Sequence, residues 1–301
     1  VPAAVEQVHE RGQGGSPVEV LLVFLKLGVS SFGGPIAHLG YFRDEFVVRR
    51  RWLDEHAYAD LVGLCQFLPG PASSQVGFSI GLMRAGFAGA LAAWTGFTLP
   101  SAVLLVLFAY GTGVLKGTLG SGLLHGLKLC AVAIVAQAVW GMARTLCPDR
   151  ERASIALAAA LLVLASPSSL AQFGAIVVGG FAGLVFCRSA TPNPYGHFGV
   201  RVSRSTGVVA LVLFGSILVG LPFLRGSLGS GAMLFDAFYR SGGLVFGGGH
   251  VVLPLLRQAF VAPGWVSDNA FLAGYGAAQA VPGPLFTFAA YLGFIASPQP
   301  H

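Results

Sequence analysis

The sequence predicts an all-α integral membrane protein: a polytopic helix bundle of two inverted-topology repeats, with broken or re-entrant helices at the pseudo-two-fold interface. Three observations predict it. Charged residues make up only 10% of the 301 residues and hydrophobic residues 54%, far from the averages of soluble domains. Uncharged runs at 61–83, 85–115, 153–187, 205–224 and 269–300 each reach the roughly 20 residues that cross a ~30 Å hydrocarbon core. Two stretches, FLKLGVSSFGG (24–34) and FYRSGGLVFGG (238–248), repeat each other. Leu, Ala, Val, Phe and 43 glycines run together, without the period-2 alternation that a membrane β-barrel requires.

Residues 1–17 are polar and Gly-rich, lack the basic, apolar and small-residue regions of a signal peptide, and read as a disordered cytoplasmic tail. A first transport repeat follows over 18–190, then a basic linker at 191–204. Residues 205–301 read as the start of a second repeat that stops early relative to the first. Arginines cluster between apolar runs at Arg43, Arg49, Arg50 and Arg51, at Arg144, Arg150 and Arg152, and at Arg188, Arg201 and Arg204. That is the positive-inside pattern, so the formal charge of +6 calls for a lipid bilayer and for no nucleic-acid partner. If 58–83 is a broken pair returning to the Arg49–Arg51 side, then 85–115 crosses outward and 120–143 returns. The hairpin in 153–187, broken at SPSS (166–169), dips and comes back, leaving Lys116 alone outside. The run 205–224 then crosses outward, and the second repeat begins on the opposite side, as in many secondary transporters.

The repeat extends well beyond one motif. Phe24/Phe238, Gly28/Gly242, Phe32/Phe246, Gly33/Gly247 and Gly34/Gly248 are identical, and Lys26 faces Arg240. After a single-residue gap Trp52 matches Trp265, and QFLPGPASS (66–74) matches QAVPGPLFT (279–287). Gln66/Gln279, Gly70/Gly283 and Ser74/Thr287 are thereby paired.

Proline lacks an N–H and clashes with the preceding turn, so Pro-Gly-Pro breaks a helix outright. In lipid such a break survives only where its freed backbone groups face protein or a polar cavity. The residues after it, including Ser73, Ser74 and Gln75, begin a new half-helix whose free N–H groups and positive dipole end favour an anion. The segments SSFGGP (30–35), with Ser30, Ser31, Gly33 and Gly34, and FGGGH (246–250), with Gly247, Gly248 and Gly249, expose N–H groups in the manner of an anion nest. Each signal alone better suits a proline kink or a Gly-packed crossing; their occurrence in both repeats favours a binding site. Gln66 and Gln279 precede the breaks, where they serve either the anion or the freed carbonyls.

The predicted spans hold almost no carboxylate, with Asp60 and Asp236 at span edges and the other acids in the tail or loops. A cation carrier normally buries Asp or Glu in its path. Lys26, Lys128 and Arg240 instead fall in or beside apolar runs, at a cost of about 2.5–3.5 kcal/mol each unless paired or solvated. Lys128 reads as a snorkelling side chain, whereas Lys26 and Arg240 are expected to face one shared polar cavity. His38 and His250 suit substrate binding, proton carriage or a satisfied structural role alike. Cys65, Cys130, Cys147 and Cys187 lack CxxC spacing and the seven histidines are scattered, so no metal, disulfide or cofactor is expected. An oxyanion reductase using Cys65 or Cys130 is the weakest reading.

FLKLGVSSFGGPIAHLGYFRDEF, RRRWLDEHAYADLVGLCQFLPGPASSQVG and RAGFAGALAAWTGFTLPSA resemble the N-terminal half of chromate ion transporters of the CHR family. FYRSGGLVFGGGHVVLPLL and QAVPGP resemble the second half of its long, two-domain members. The resemblance implies export of chromate from the bacterial cytoplasm across the inner membrane, with sulfate as the related tetrahedral dianion. Uptake of sulfate or another oxyanion, by a carrier or a channel, is the alternative. Assembly as a homodimer is left open.

Overall fold

Ser16 opens the first described helix: its Oγ accepts the Glu19 N–H at 3.1 Å, and Pro17 takes the first helical position, where a missing N–H costs nothing. In this computed structural model residues 14–114, 150–165, 169–186, 202–245 and 252–297 are described, with scattered positions between 122 and 149. All regular elements among them are helices. In order they are α1 (Pro17–Ser30), α2 (Gly34–Arg43), a π-helical turn (Asp44–Arg49), α3 (Glu55–Phe67), α4 (Ala72–Val114), α5 (Arg150–Ala165), α6 (Ser169–Phe186), α7 (Arg204–Gly243), α8 (Val252–Phe260), α9 (Asp268–Ala280), a 3₁₀ turn (Leu285–Thr287) and α10 (Phe288–Ile295).

The chain divides into two compact units. Val132–Pro194 forms the smaller, in which α5 and α6 pack on each other on either side of the expected SPSS break. The larger combines Val1–Ala131 with Tyr195–His301 and so includes both Pro-Gly-Pro elements.

Among the described residues two stretches are long and apolar enough to cross a membrane, Ala72–Gly111 and Arg204–Phe223. The first is not one rod: Ala85 (φ −145°) and Gly86 (φ 64°) leave helical geometry, dividing α4 where the two uncharged runs meet at Arg84. Residues 72–84 then rise only about 20 Å at ~1.5 Å per residue, well short of a ~30 Å core. The 13 residues of α3 have the same reach. A similar break at Gly229 (φ 74°) divides α7.

The repeat read from sequence recurs as a set of matching contacts. Asp54 Oδ1 caps α3 by accepting the Ala57 N–H at 2.7 Å, and Ser267 Oγ caps α9 by accepting the Ala270 N–H at 3.3 Å. Phe24 stacks on Phe46 at 5.1 Å, and Phe238 lies 4.6 Å from Phe260. Arg43 Nε meets Glu55 Oε1 at 2.6 Å, and Arg257 Nε meets Asp268 Oδ1 at 3.0 Å. Leu53 donates its N–H to Phe46 O at 3.3 Å, and Val266 to Phe260 O at 3.0 Å. Each second pair is the sequence match of the first.

The single-residue gap has a physical address. One residue more lies between Phe46 and Trp52 than between Phe260 and Trp265, and the first copy absorbs it in the π-helical turn, where Arg50 donates its N–H to Glu45 O at 2.9 Å. A π-turn is a helix with one inserted residue.

Without a hydrophobic drive between helices in lipid, close backbone approach holds them together. A Cβ on Gly28 of α1 would lie 2.6 Å from Gly96 O of α4, and one on Gly96 would lie 2.8 Å from Leu21 O. Beside this crossing Phe24, Phe42, Phe46 and Phe97 fill the core at 0–2% exposure.

Candidate functional site: two crossed helix breaks

Both Pro-Gly-Pro elements end a helix and begin another. After α3 the chain becomes extended at Leu68 (φ −77°, ψ 147°), turns at Gly70 (φ 122°), and re-enters helix at Ala72. After α9 it is extended at Val281 (φ −91°, ψ 141°) and turns at Gly283 (φ 100°) into the 3₁₀ turn. The freed glycine N–H groups are then used in a reciprocal way. Gly70 donates to Val245 O at 2.7 Å, and Gly283 donates to Ser31 O at 2.9 Å. Ser31 and Val245 are themselves repeat mates, each directly before its Phe-Gly-Gly, so each break is braced on the opposite repeat.

Around Gly283 the packing is close. A Cβ there would lie 2.7 Å from Ser101 Oγ and 3.2 Å from Gly28 O, so only glycine fits between α1 and α4. Ser31 Oγ and both ring nitrogens of His38 are buried without a hydrogen-bond partner, and the His38 ring lies edge-on to Phe97 at 5.2 Å. Gln279, 8% exposed, donates Nε2 to Tyr275 OH at 2.6 Å, and its Oε1 is the nearest atom to the open side of Gly34. Gly33 (φ 98°) and Gly34 (φ 78°) supply the left-handed turn that ends the α1 run and starts α2.

At the first break Gln75 Nε2 donates one N–H to the freed carbonyl of Pro69 at 2.8 Å, and Oε1 is unpartnered. Ser73 is buried, Ser74 half-buried and Gln66 exposed. Thr287 Oγ1 donates to Pro284 O at 2.7 Å, and Ser30 Oγ to Lys26 O at 2.8 Å. Gly247, Gly248, Gly249 and His250 lie outside the described residues, as do Lys128 and Cys130.

The two cations meet different partners. Lys26, with 61% of its side chain exposed, stands 4.0 Å from Glu45 Oε2. It edges an apolar groove of about 790 Å³ with Leu22, Leu25, Val29, Leu99, Pro100, Val103 and Leu104. Arg240 donates Nε to Asp236 Oδ1 at 2.9 Å and Nη2 to Leu218 O at 2.7 Å. Both acids are shielded from water: Asp236 is fully buried within α7, and Glu45 in the π-helical turn is 5% exposed. Burial pushes the Glu45 carboxyl up, and the Arg50 hydrogen bond with the charges of Lys26 and Arg49 more than offsets this, holding it below the usual carboxylate range.

Sequence reading missed Ser101, Tyr275 and Glu45. Ser101 had a usable signal, the Pro100-Ser101 pair inside an apolar run. Tyr275 and Glu45 had none, because only the fold brings them to their partners.

Helices interrupted at matching places in two repeats, with buried polar side chains at the breaks, define an all-helical membrane protein. Residues 18–184 and 232–298 match the family model described as "Chromate transporter". The chain belongs to the chromate transporter family. It is 28% identical over 277 residues to a chromate transport protein of Pseudomonas aeruginosa, covering 91% of this chain and 65% of the relative. A probable chromate transport protein of Synechococcus elongatus is 28% identical over 276 residues, 90% of this chain and 67% of the relative. A chromate transport protein of Cupriavidus metallidurans is 24% identical over 306 residues, 94% of this chain and 68% of the relative. The chain thus spans about two thirds of the length of these relatives. No solved structure matches it.

Proposed function

We propose that this chain carries chromate, with sulfate as the related dianion, outward across the bacterial inner membrane as a secondary transporter. The reciprocal pair of hydrogen bonds, Gly70 to Val245 and Gly283 to Ser31, carries the reading. It links each broken helix to the glycine motif of the other repeat, the arrangement that inverted-topology transporters use to hold a substrate between repeats. The two short arms, α3 and residues 72–84, form a re-entrant pair. Arg84 returns to the Trp52 ring at 4.8 Å, and its repeat mate Ser297 returns to Trp265, donating its N–H to the carbonyl at 3.2 Å.

At the breaks, the first-turn N–H groups of α4 have no intrahelical acceptors, and the dipole end favours negative charge. Ser73, Ser74 and Thr287 add hydroxyl donors that suit a tetrahedral dianion. Thr287 must release Pro284 O to contribute. Discrimination between chromate and sulfate is modest, since both present the same charge and acceptor shape. An inside-negative potential of 100 mV favours expelling a dianion by about 4.6 kcal/mol, two charges at ~2.3 each.

Counterflow in vesicles of defined orientation tests this. Chromate loaded on one side is expected to accelerate labelled chromate entry from the other. Movement without trans-stimulation indicates a channel, and absence of chromate movement overturns the reading.

A further inference from the structure

The two repeats share caps, aromatic pairs and ion pairs, and they differ in charge at the turn before each tryptophan. Arg49, Arg50 and Arg51 precede Trp52, whereas Ala262, Pro263 and Gly264 precede Trp265; Glu45 aligns with Ala259. The first copy also inserts its π-helical turn here, and π-turns concentrate at functional sites. In the inverted arrangement proposed above the two tryptophan ends lie on opposite membrane faces, and the basic turn then marks one face only.

Lys26, Arg49, Arg50 and Arg84 share two carboxylates, Glu19 and Glu45, so cations outnumber acids in this network, while Asp44 and Glu55 pair with Arg43 beside it. The Glu45 oxygens are used unequally. Oε1 receives the Arg50 Nε at 2.7 Å, while Oε2 has only Arg49 Nη1 at 3.4 Å and Lys26 Nζ at 4.0 Å. The short contact is a strong charge-assisted bond and the long ones are not. Their cations are also the exposed ones, with 67% of the Arg49 and 61% of the Lys26 side chain accessible. Exposed, poorly aligned ion pairs cost little to exchange. Arg50 and Arg84 lie over the Trp52 ring at 5.5 and 4.8 Å and serve as the fixed wall.

We propose that this turn is a capture site for a small inorganic dianion, held by Lys26 and Arg49 at the mouth of the transport path, with Glu45 as the resident counter-anion that competes with it. The inference deepens the reading of the chain as an oxyanion exporter and rests on it. It supplies what export needs and the symmetric breaks lack, a device on one face that raises the local anion concentration. Glu45 sets the affinity low enough for release inward to the breaks.

Sulfate is the probe, titrated calorimetrically into the purified, monodisperse chain at low salt, in the unaltered protein and in a Ser73→Ala/Ser74→Ala background that weakens the inner site. Arg49→Gln and Lys26→Gln are each expected to weaken sulfate binding about tenfold, and Glu45→Gln to tighten it about tenfold, as loss of one charge within contact distance requires. Arg152→Gln in the smaller unit is expected to leave binding unchanged. Glu45 is buried and its variant can fail to fold; Arg49 is exposed, so Arg49→Gln keeps the test decisive. Unchanged sulfate affinity in Arg49→Gln and Lys26→Gln in both backgrounds overturns the capture site, and with chromate counterflow intact it leaves the transport reading standing. Weakened sulfate binding in those variants together with no chromate counterflow supports the capture site and removes the transport reading instead.

Discussion

Arg51 and Gly264 hold the same place in the two repeats and the same left-handed backbone, with φ of 52° and 77°. Among the described residues Arg51 is the non-glycine residue with positive φ, one step before Trp52. The turn into each second arm therefore demands a conformation that glycine adopts freely and arginine does not, at a cost of roughly 1–2 kcal/mol. Arg51→Gly is expected to leave the melting temperature unchanged or raised, because relief of strain offsets the entropy glycine gains when unfolded. Arg51→Val is expected to lower it, since a β-branched side chain suits this region least. Thermal unfolding of the two variants in detergent checks the pair, and equal melting temperatures would contradict it.

Gly28 and Gly242 are also repeat mates, and their surroundings differ. A Cβ on Gly28 meets Gly96 O at 2.6 Å, whereas one on Gly242 has nothing within 4 Å. Gly28→Ala is expected to destabilise by about 1–3 kcal/mol through forced separation of α1 and α4. Gly242→Ala is expected to stay within about 0.5 kcal/mol. Fluorescence-detected size exclusion after heating reads both, and a heat-stable Gly28→Ala protein would show that the crossing opens without cost.

Gly283 sits where conformation and space both exclude a side chain. Gly283→Ala places a methyl group against Ser101 Oγ and Cβ at 2.7 and 3.0 Å and strains φ, so chromate transport and the bond to Ser31 are expected to fail together. Ser101→Gly in the same chain removes the clash but not the strain, and it is expected to restore folding in part. Full transport by Gly283→Ala alone would mean that the break tolerates displacement from Ser31.

Much of this fold was legible because repetition is a sequence property. The match of Gly70 with Gly283 located both breaks, and proline chemistry alone ends α3 and α9 where they end. The one-residue gap was visible, but not that a π-turn would hold it. Environments were less legible than positions. Lys26 and Arg240 match in register, yet one meets Glu45 from a neighbouring turn and the other meets Asp236 on its own helix. Asp236 and Glu45 make the same point: each is buried and ion-paired, and composition along the chain does not show which cation an acid will meet. Gln75, expected near the anion, also donates Nε2 to Pro69 O, a contact that follows from the turn geometry of the break and not from residue type.

The central claim is that the Pro-Gly-Pro breaks hold the transported anion, and chromate affinity of purified, monodisperse protein tests it most directly. Ser73→Ala with Ser74→Ala removes up to two hydroxyl donors from the first turn of α4, each worth roughly 1.5–3 kcal/mol to a charged acceptor, without touching the Gly70 to Val245 bond. Gly70→Ala, at φ 122° with Gln75 Nε2 in the way at 2.7 Å, disturbs that bond instead. The account predicts at least tenfold weaker chromate binding in the double variant, with its melting temperature preserved, and weaker binding in Gly70→Ala. Unchanged chromate affinity in both proteins would contradict it, leaving the breaks as hinges or packing devices and placing the anion elsewhere.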